Sequence, residues 1–224
     1  DYKSDDTWGS RFDATVWRIN DRKIYVTMQG TTGLGDFLTD ADLTLGNGAP
    51  ARQIVYMVNW WLRISTPLGV EIKQIGMINV PIPVTGSLLP SYFYETTPAT
   101  GEGLVTGGSQ ATVNGHSLGG ALASNFANLF NGSSVAVSGV QTFNSAGYGW
   151  WAPVLFAQIK AMLPVGNNFV GYSQKNYFAD NGLSVTTREF ANTQLGGRIP
   201  LAQEESEIAL QENHYMYKIT DLLA

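Results

Sequence analysis

A short run that reads as a buried strand, Gln110-Ala111-Thr112-Val113-Asn114, leads into Gly115-His116-Ser117-Leu118-Gly119, and a stretch rich in alanine, leucine and phenylalanine follows at once. A buried strand that becomes a helix within one turn constrains the fold strongly. Such a unit buries its strand in a sheet whose neighbours are reached by crossover helices. The same spacing, Gly-x-Ser-x-Gly, is the pattern of a serine held on a sharp strand-to-helix turn. With 25 glycines in 224 residues the five-residue match alone says little. Its weight comes from the strand before it, the helix after it, and a base and an acid in a suitable order elsewhere.

The rest of the chain supplies alternating elements. Residues 12–19 and 23–30 are β-branched and aromatic runs joined by Asn20-Asp21-Arg22, which predicts a hairpin feeding a core strand at 24–28. Residues 31–48 read as a turn, a short helix and a loop. Residues 51–64 form an amphipathic helix, with Ile54, Val58, Trp61 and Leu62 on one face and Arg52, Asn59 and Arg63 on the other. The paired tryptophans there are expected to be packing residues.

From 76 to 110 the pattern breaks under Pro81, Pro83, Pro90 and Pro98. Yet Ile82, Val84, Leu88, Leu89, Tyr92, Phe93 and Tyr94 are too apolar for a solvated linker, so a β-rich excursion over the domain surface is expected. The helix after Ser117 is closed by Asn131-Gly132. Beyond it come a strand at 135–147, an apolar helix at 150–163, and strands at 174–179 and 183–190 on either side of Asp180-Asn181-Gly182. A loop and helix over 204–224 end the chain. Strands alternating with helices predict one α/β domain over residues 1–224, with a largely parallel sheet and no internal repeat.

Composition narrows the function. Hydrophobic residues make up 44% and charged residues 14%, the balance of a globular chain. The net charge of -5 supplies no basic field for nucleic acid or anionic membrane, so no nucleic-acid partner is expected. The absence of cysteine excludes thiol nucleophiles, disulfides and thiolate metal sites, and two histidines are too few for a dedicated zinc site. The longest apolar stretch, 54–64, is far short of the ~20 residues that span a bilayer, so no transmembrane segment is expected. The first residues, Asp1-Tyr2-Lys3, carry no signal-peptide pattern, and 215–224 stop inside a helix-like pattern. The chain is therefore expected to be a piece of a longer protein.

A serine hydroxyl needs a neighbouring base to act as a nucleophile. His116 lies within the elbow and points away from the serine, which leaves His214 as the base. Asp180 is the aspartate between them, and the order Ser, Asp, His is that of α/β-hydrolases. Asp180 also begins Asp-Asn-Gly, a turn signal in its own right, and Glu189 is the substitute acid. The Leu118 backbone N–H is the first oxyanion donor. A second is expected after an early strand, where Gly30-Thr31 offers an N–H and a hydroxyl on Thr31.

Residues 24–43 together with 113–123 resemble the class 3 lipases, the fungal-type triacylglycerol lipase family of α/β-hydrolases. In that family a strand ends in Arg-Gly-Ser/Thr, a short helix carries Asn/Asp-Trp-x-x-Asp, and Gly-His-Ser-Leu-Gly-Gly follows later. The resemblance implies an α/β-hydrolase fold, a mostly parallel central sheet flanked by helices with lid-like insertions. It implies Ser117 as nucleophile, Thr31 as side-chain oxyanion residue, and Asp180 and His214 as the rest of the triad. Gln29 stands where the family has arginine, Phe37 where it has tryptophan, and Thr142 to Gly149 where it has Phe-Gly-x-Pro-Arg. These departures suggest a divergent, bacterial branch, and a secreted or exported protein is expected.

The expected activity is cleavage of lipid acyl esters, as a triacylglycerol lipase or phospholipase A1, with a lipid or other ester at an interface as partner. The alternatives are a soluble small-ester esterase and a non-catalytic binding domain on a hydrolase scaffold. No cofactor is required. Asp36, Asp40 and Asp42 offer oxygens to calcium, but a solvated helix face accounts for them. Residues 32–46, 82–110 and 148–163 are the candidate covers, and at least one is expected above Ser117.

Overall fold

In the computed structural model, residues 2–3, 12–30, 51–81, 88–105, 107–147, 152–163, 173–180 and 194–202 are described. Strand β1 (Tyr2–Lys3) pairs antiparallel with β2 (Ala14–Asn20), and β2 pairs antiparallel with β3 (Lys23–Met28) through the expected turn at Asp21-Arg22. Helix α1 (Ala51–Ser65) follows, then β4 (Glu71–Pro81) and β5 (Leu88–Thr100). Next come β6 (Ser109–His116), α2 (Leu118–Phe130), β7 (Val135–Phe143), α3 (Ala152–Met162), β8 (Gln174–Ala179) and β9 (Gly197–Leu201).

The main sheet has the order β1-β2-β3-β6-β7-β8-β9, with β3, β6, β7, β8 and β9 mutually parallel. It is a mixed, mostly parallel sheet flanked by helices, the α/β arrangement expected from the alternation of elements. Strand side chains alternate in period two. Ile24, Val26, Met28, Ala111 and Val113 are buried in one cluster with the helices. The intervening Tyr25, Thr27, Thr112 and Asn114 are only half-buried.

The tandem tryptophans of α1 are packing residues, as expected. Trp61 meets Phe126 edge-on at 4.6 Å between ring centroids, and its Nε1 donates to Ser134 Oγ at 2.8 Å. Trp60 meets Phe12 edge-on at 5.6 Å. Helix α1 buries more than the stripe predicted for it. Val55, Met57, Trp60 and Ile64 are buried along with Ile54, Val58 and Trp61, whereas Leu62 is only half-buried. The helix also has a second packing partner. Strands β4 and β5 form their own antiparallel hairpin, which packs on α1 and reaches α3. This is the β-rich excursion, though its first strand begins five residues before the expected break at Gly76.

Asn59, read from sequence as a solvent-facing residue, clamps the hairpin. Its Nδ2 donates to Ile75 O at 2.9 Å and its Oδ1 accepts from Ile75 N at 2.8 Å. The side-chain amide thereby pairs the backbone as another strand would.

Helix α2 is buried on nearly every side, so its apolar sequence carries no stripe. It packs on α1, and α3 is tied to it by Lys160 Nζ donating to Asn128 Oδ1 at 3.3 Å. Partial burial there holds the Lys160 ammonium below the usual lysine range. Gly132, at φ +80°, ends the helix as expected. Among the described residues no helix is long and apolar enough to cross a membrane.

Two strands were not foreseen, Tyr2–Lys3 beside β2 and a last one beside β8. Gly197–Leu201 pairs parallel with β8 at the end of the sheet order. Gly196, Gly197 and Pro200 argue against a strand in sequence, but among the described residues β9 is the outermost strand, and proline is tolerated there because its missing N–H costs no ladder bond to β8. The strand expected at 183–190, the short helix after residue 31 and the terminal helix at 204–224 lie outside the described residues.

Candidate active site

Strand β6 lies between β3 and β7, and Ser117 is the single residue between its end and the start of α2. Its backbone adopts φ +55° and ψ −122°, a conformation that costs a residue with a side chain of order 1–3 kcal/mol and persists only where its surroundings hold it. Here they do. Ser117 N–H donates to Phe143 O at 2.9 Å. Ser117 O accepts from Gly120 at 3.1 Å, Ala121 at 3.4 Å and Ala146 at 3.2 Å. The end of β7 and the first turn of α2 thus grip the serine from both sides.

Glycines make the grip possible through close approach. A Cβ on Gly115 would overlap the Gly119 carbonyl, and one on Gly119 would overlap the Met28 carbonyl oxygen at the end of β3. A Cβ on Gly30 would sit 2.5 Å from His116 O. The same position is 3.4 Å from Ser117 Cβ, so the chain leaving β3 passes directly beside the nucleophile candidate. Gly119→Ala should therefore cost about 1–3 kcal/mol of stability, because the obstacle is backbone and cannot rotate away. Urea unfolding followed by tryptophan emission checks this, and an unchanged midpoint would refute the close approach.

Ser117 is 3% exposed and Leu118 2% exposed. The Leu118 side chain is thus packed away, leaving its backbone amide as the group it can offer. That amide is the first of α2 and has no carbonyl four residues back within the helix. The positive end of the helix dipole is directed to the same place.

Asp180 follows β8 at the same carboxyl edge of the parallel strands, the edge where open α/β sheets place their ligands. Two strand spacings of about 4.8 Å separate the ends of β6 and β8, so Ser117 and Asp180 share one end of the sheet. The Asp180 N–H donates to Leu201 O at 3.0 Å, and the residue is exposed, in contrast to Ser117. His116, the last residue of β6, is half-buried. His214, Thr31 and Glu189 lie outside the described residues, as do Asp36, Asp40 and Asp42. The structure therefore brings Ser117, Leu118, Gly30 and Asp180 to one edge.

Sequence reading missed the polar residues that join β7, β8 and the approach to β9. Thr142 Oγ1 donates to Asn176 Oδ1 at 2.7 Å, and Gln174 Nε2 donates to the same oxygen at 2.6 Å. Asn176 Nδ2 donates to Leu195 O, and Gln194 Nε2 donates to Ser145 O at 2.9 Å. Asn144 Oδ1 accepts from Ala179 N at 3.0 Å. The available signal was Asn144-Ser145 directly after an apolar strand, since asparagine tolerates the left-handed region better than most residues. Among the described residues no group of three or more His, Cys, Asp or Glu side chains is arranged to hold a metal ion.

In comparisons with known proteins, no family model and no curated sequence matches this chain.

Proposed function

We infer that the protein is a serine carboxylic-ester hydrolase with an α/β-hydrolase fold, acting on lipid acyl esters as a triacylglycerol lipase or phospholipase A1. One observation carries the reading. Ser117 is held at φ +55° on a strand-to-helix turn at the carboxyl edge of a mostly parallel sheet. A serine needed only for a turn would not require this conformation, which glycine adopts at less cost.

In this reading Ser117 Oγ attacks the ester carbonyl carbon. His214 takes the serine proton and passes it to the leaving alcohol. Asp180 orients the imidazole and stabilises its cation. The amide of Leu118 and the hydroxyl and amide of Thr31 receive the charge that develops on the carbonyl oxygen, and water then releases the acid by the same route. The contact of Gly30 with the elbow supports Thr31 in this role, because the next residue along the chain is the donor. The burial of Ser117 supports a site shielded from water, which suits an acyl ester. An exported bacterial enzyme that meets its substrate at an interface fits this chemistry.

Thr31→Val keeps the shape and deletes the hydroxyl. It should lower kcat by about 10² to 10³ with KM little changed. Steady-state kinetics on a soluble ester measures this, and an unchanged kcat would leave the hydroxyl no role. The reading as a whole is tested by a panel of tributyrin, long-chain triacylglycerol, and phospholipid labelled separately at each acyl position. Labelling of Ser117 by a fluorophosphonate accompanies the panel. Turnover of the small ester alone would replace the lipid substrate with a soluble one. No turnover on any member and no label on Ser117 would leave a non-catalytic domain.

A further inference from the structure

We propose that Asn144 is a positioning residue for Asp180, its side-chain oxygen taking the place of a backbone carbonyl in the sheet. The role rests on the serine hydrolase reading above, whereas the hydrogen bond behind it does not.

The β7–β8 ladder runs through the pair Phe143 and Tyr177. The next rungs of a parallel ladder would join residue 144 twice to β8, once through its N–H and once through its C=O. The first rung is present, with Asn144 N–H donating to Tyr177 O at 2.8 Å. The second is made differently. The backbone turns out of the strand at Asn144, at φ +45°, and Ala179 N–H donates to Asn144 Oδ1 at 3.0 Å. The side chain thus continues the ladder one rung beyond the point where the main chain has left it.

The turn serves the elbow. Leaving the strand at 144 lets Ala146 N–H reach Ser117 O at 3.2 Å, one of the bonds that hold the serine in its conformation. The side chain serves the acid. Ala179 immediately precedes Asp180, whose own N–H is held from the other side by Leu201 O. The last two amides of this segment are thereby fixed in opposite directions, one by Asn144 and one by β9. Asn144 is fully buried, so solvent is not positioned to satisfy Ala179 in its place. Glycine would adopt the same φ without strain but would leave the Ala179 N–H without this acceptor. Asparagine meets both demands, since it tolerates the left-handed region and carries an acceptor of the right reach.

The experiment compares Asn144→Gly and Asn144→Asp with the unsubstituted protein in two readouts. The first is native-state amide exchange at Ala179. Asn144→Gly should speed it about tenfold or more, and Asn144→Asp, which retains an oxygen at the same place, should restore protection. The second is kinetics on a soluble ester. Asn144→Gly should lower kcat about tenfold at unchanged KM, because the acid is less well aligned with the base. Its acid limb should also move to lower pH, since an imidazolium with a poorly placed carboxylate loses its proton more readily.

Asn144→Asp should recover most of kcat. Unchanged exchange at Ala179 in Asn144→Gly overturns the hydrogen-bond role. Faster exchange with unaltered kcat and acid limb overturns the positioning role. Absence of Ser117-dependent turnover in the unsubstituted protein overturns the hydrolase reading instead, while the exchange readout still decides whether Asn144 holds the end of β8.

Discussion

Ser117→Ala is expected to lower kcat by about 10⁶, the scale of loss when the oxygen that forms the covalent intermediate is removed. The fold should tolerate the change. Alanine keeps the backbone N–H and C=O that bond Phe143, Gly120, Ala121 and Ala146, and the left-handed conformation is no costlier for it than for serine. Thermal unfolding should therefore move little while activity disappears. His214→Ala should fall nearly as far, and the double variant no further, because nucleophile and base act as one unit. Steady-state rates on a chromogenic short-chain ester, with burst kinetics for the acyl-enzyme, measure both. Near wild-type turnover in His214→Ala would remove His214 from the mechanism.

Asp180→Asn is expected to cost on the order of 10⁴ in kcat, through loss of imidazolium stabilisation and a misassigned tautomer. Glu189→Gln should change little. The comparison is sharp because Asp180 is exposed at the end of β8, whereas the triad acid in a serine hydrolase is ordinarily buried against its histidine. A large loss in Asp180→Asn would mean that this carboxylate is drawn into contact with the base in the working enzyme. The opposite pattern, a silent Asp180→Asn and a crippled Glu189→Gln, would reduce Asp-Asn-Gly to a turn and make Glu189 the acid. Isosteric amides remove the charge with little change of shape, so stability measured in parallel separates a failed fold from a failed base.

Much of the site's local form was legible in the chain. The strand and helix around Ser117 emerge where the run from Gln110 to Phe130 places them, because alternation, glycine spacing and a helix-forming tail are all short-range signals. The same holds for the hairpin of β2 and β3, for Gly132 as helix terminator, and for β8, which begins and ends where its run of residues does. Gly115, Gly119 and Gly30 were also visible as glycines, but what each one touches was not.

What the sequence by itself determined is a set of elements and the faces they bury. Periodicity reports that a side chain is inside without reporting what it meets. Only the tertiary structure decided that the Met28 carbonyl comes too close to Gly119 for a side chain there, and that Gly30 lies against Ser117. It alone turned Asn59 from a surface residue into a clamp on Ile75, and made residues 197–201, which carried no expected element, a strand beside β8. Asn144 is the clearest case. Its type is set by an amide 35 positions away in the chain, and that amide comes within reach only when β7 and β8 lie in one particular parallel register. Local propensity acts over a few residues, whereas backbone hydrogen-bond demand in a sheet is set by the neighbouring strand, and the neighbour is chosen by the fold as a whole.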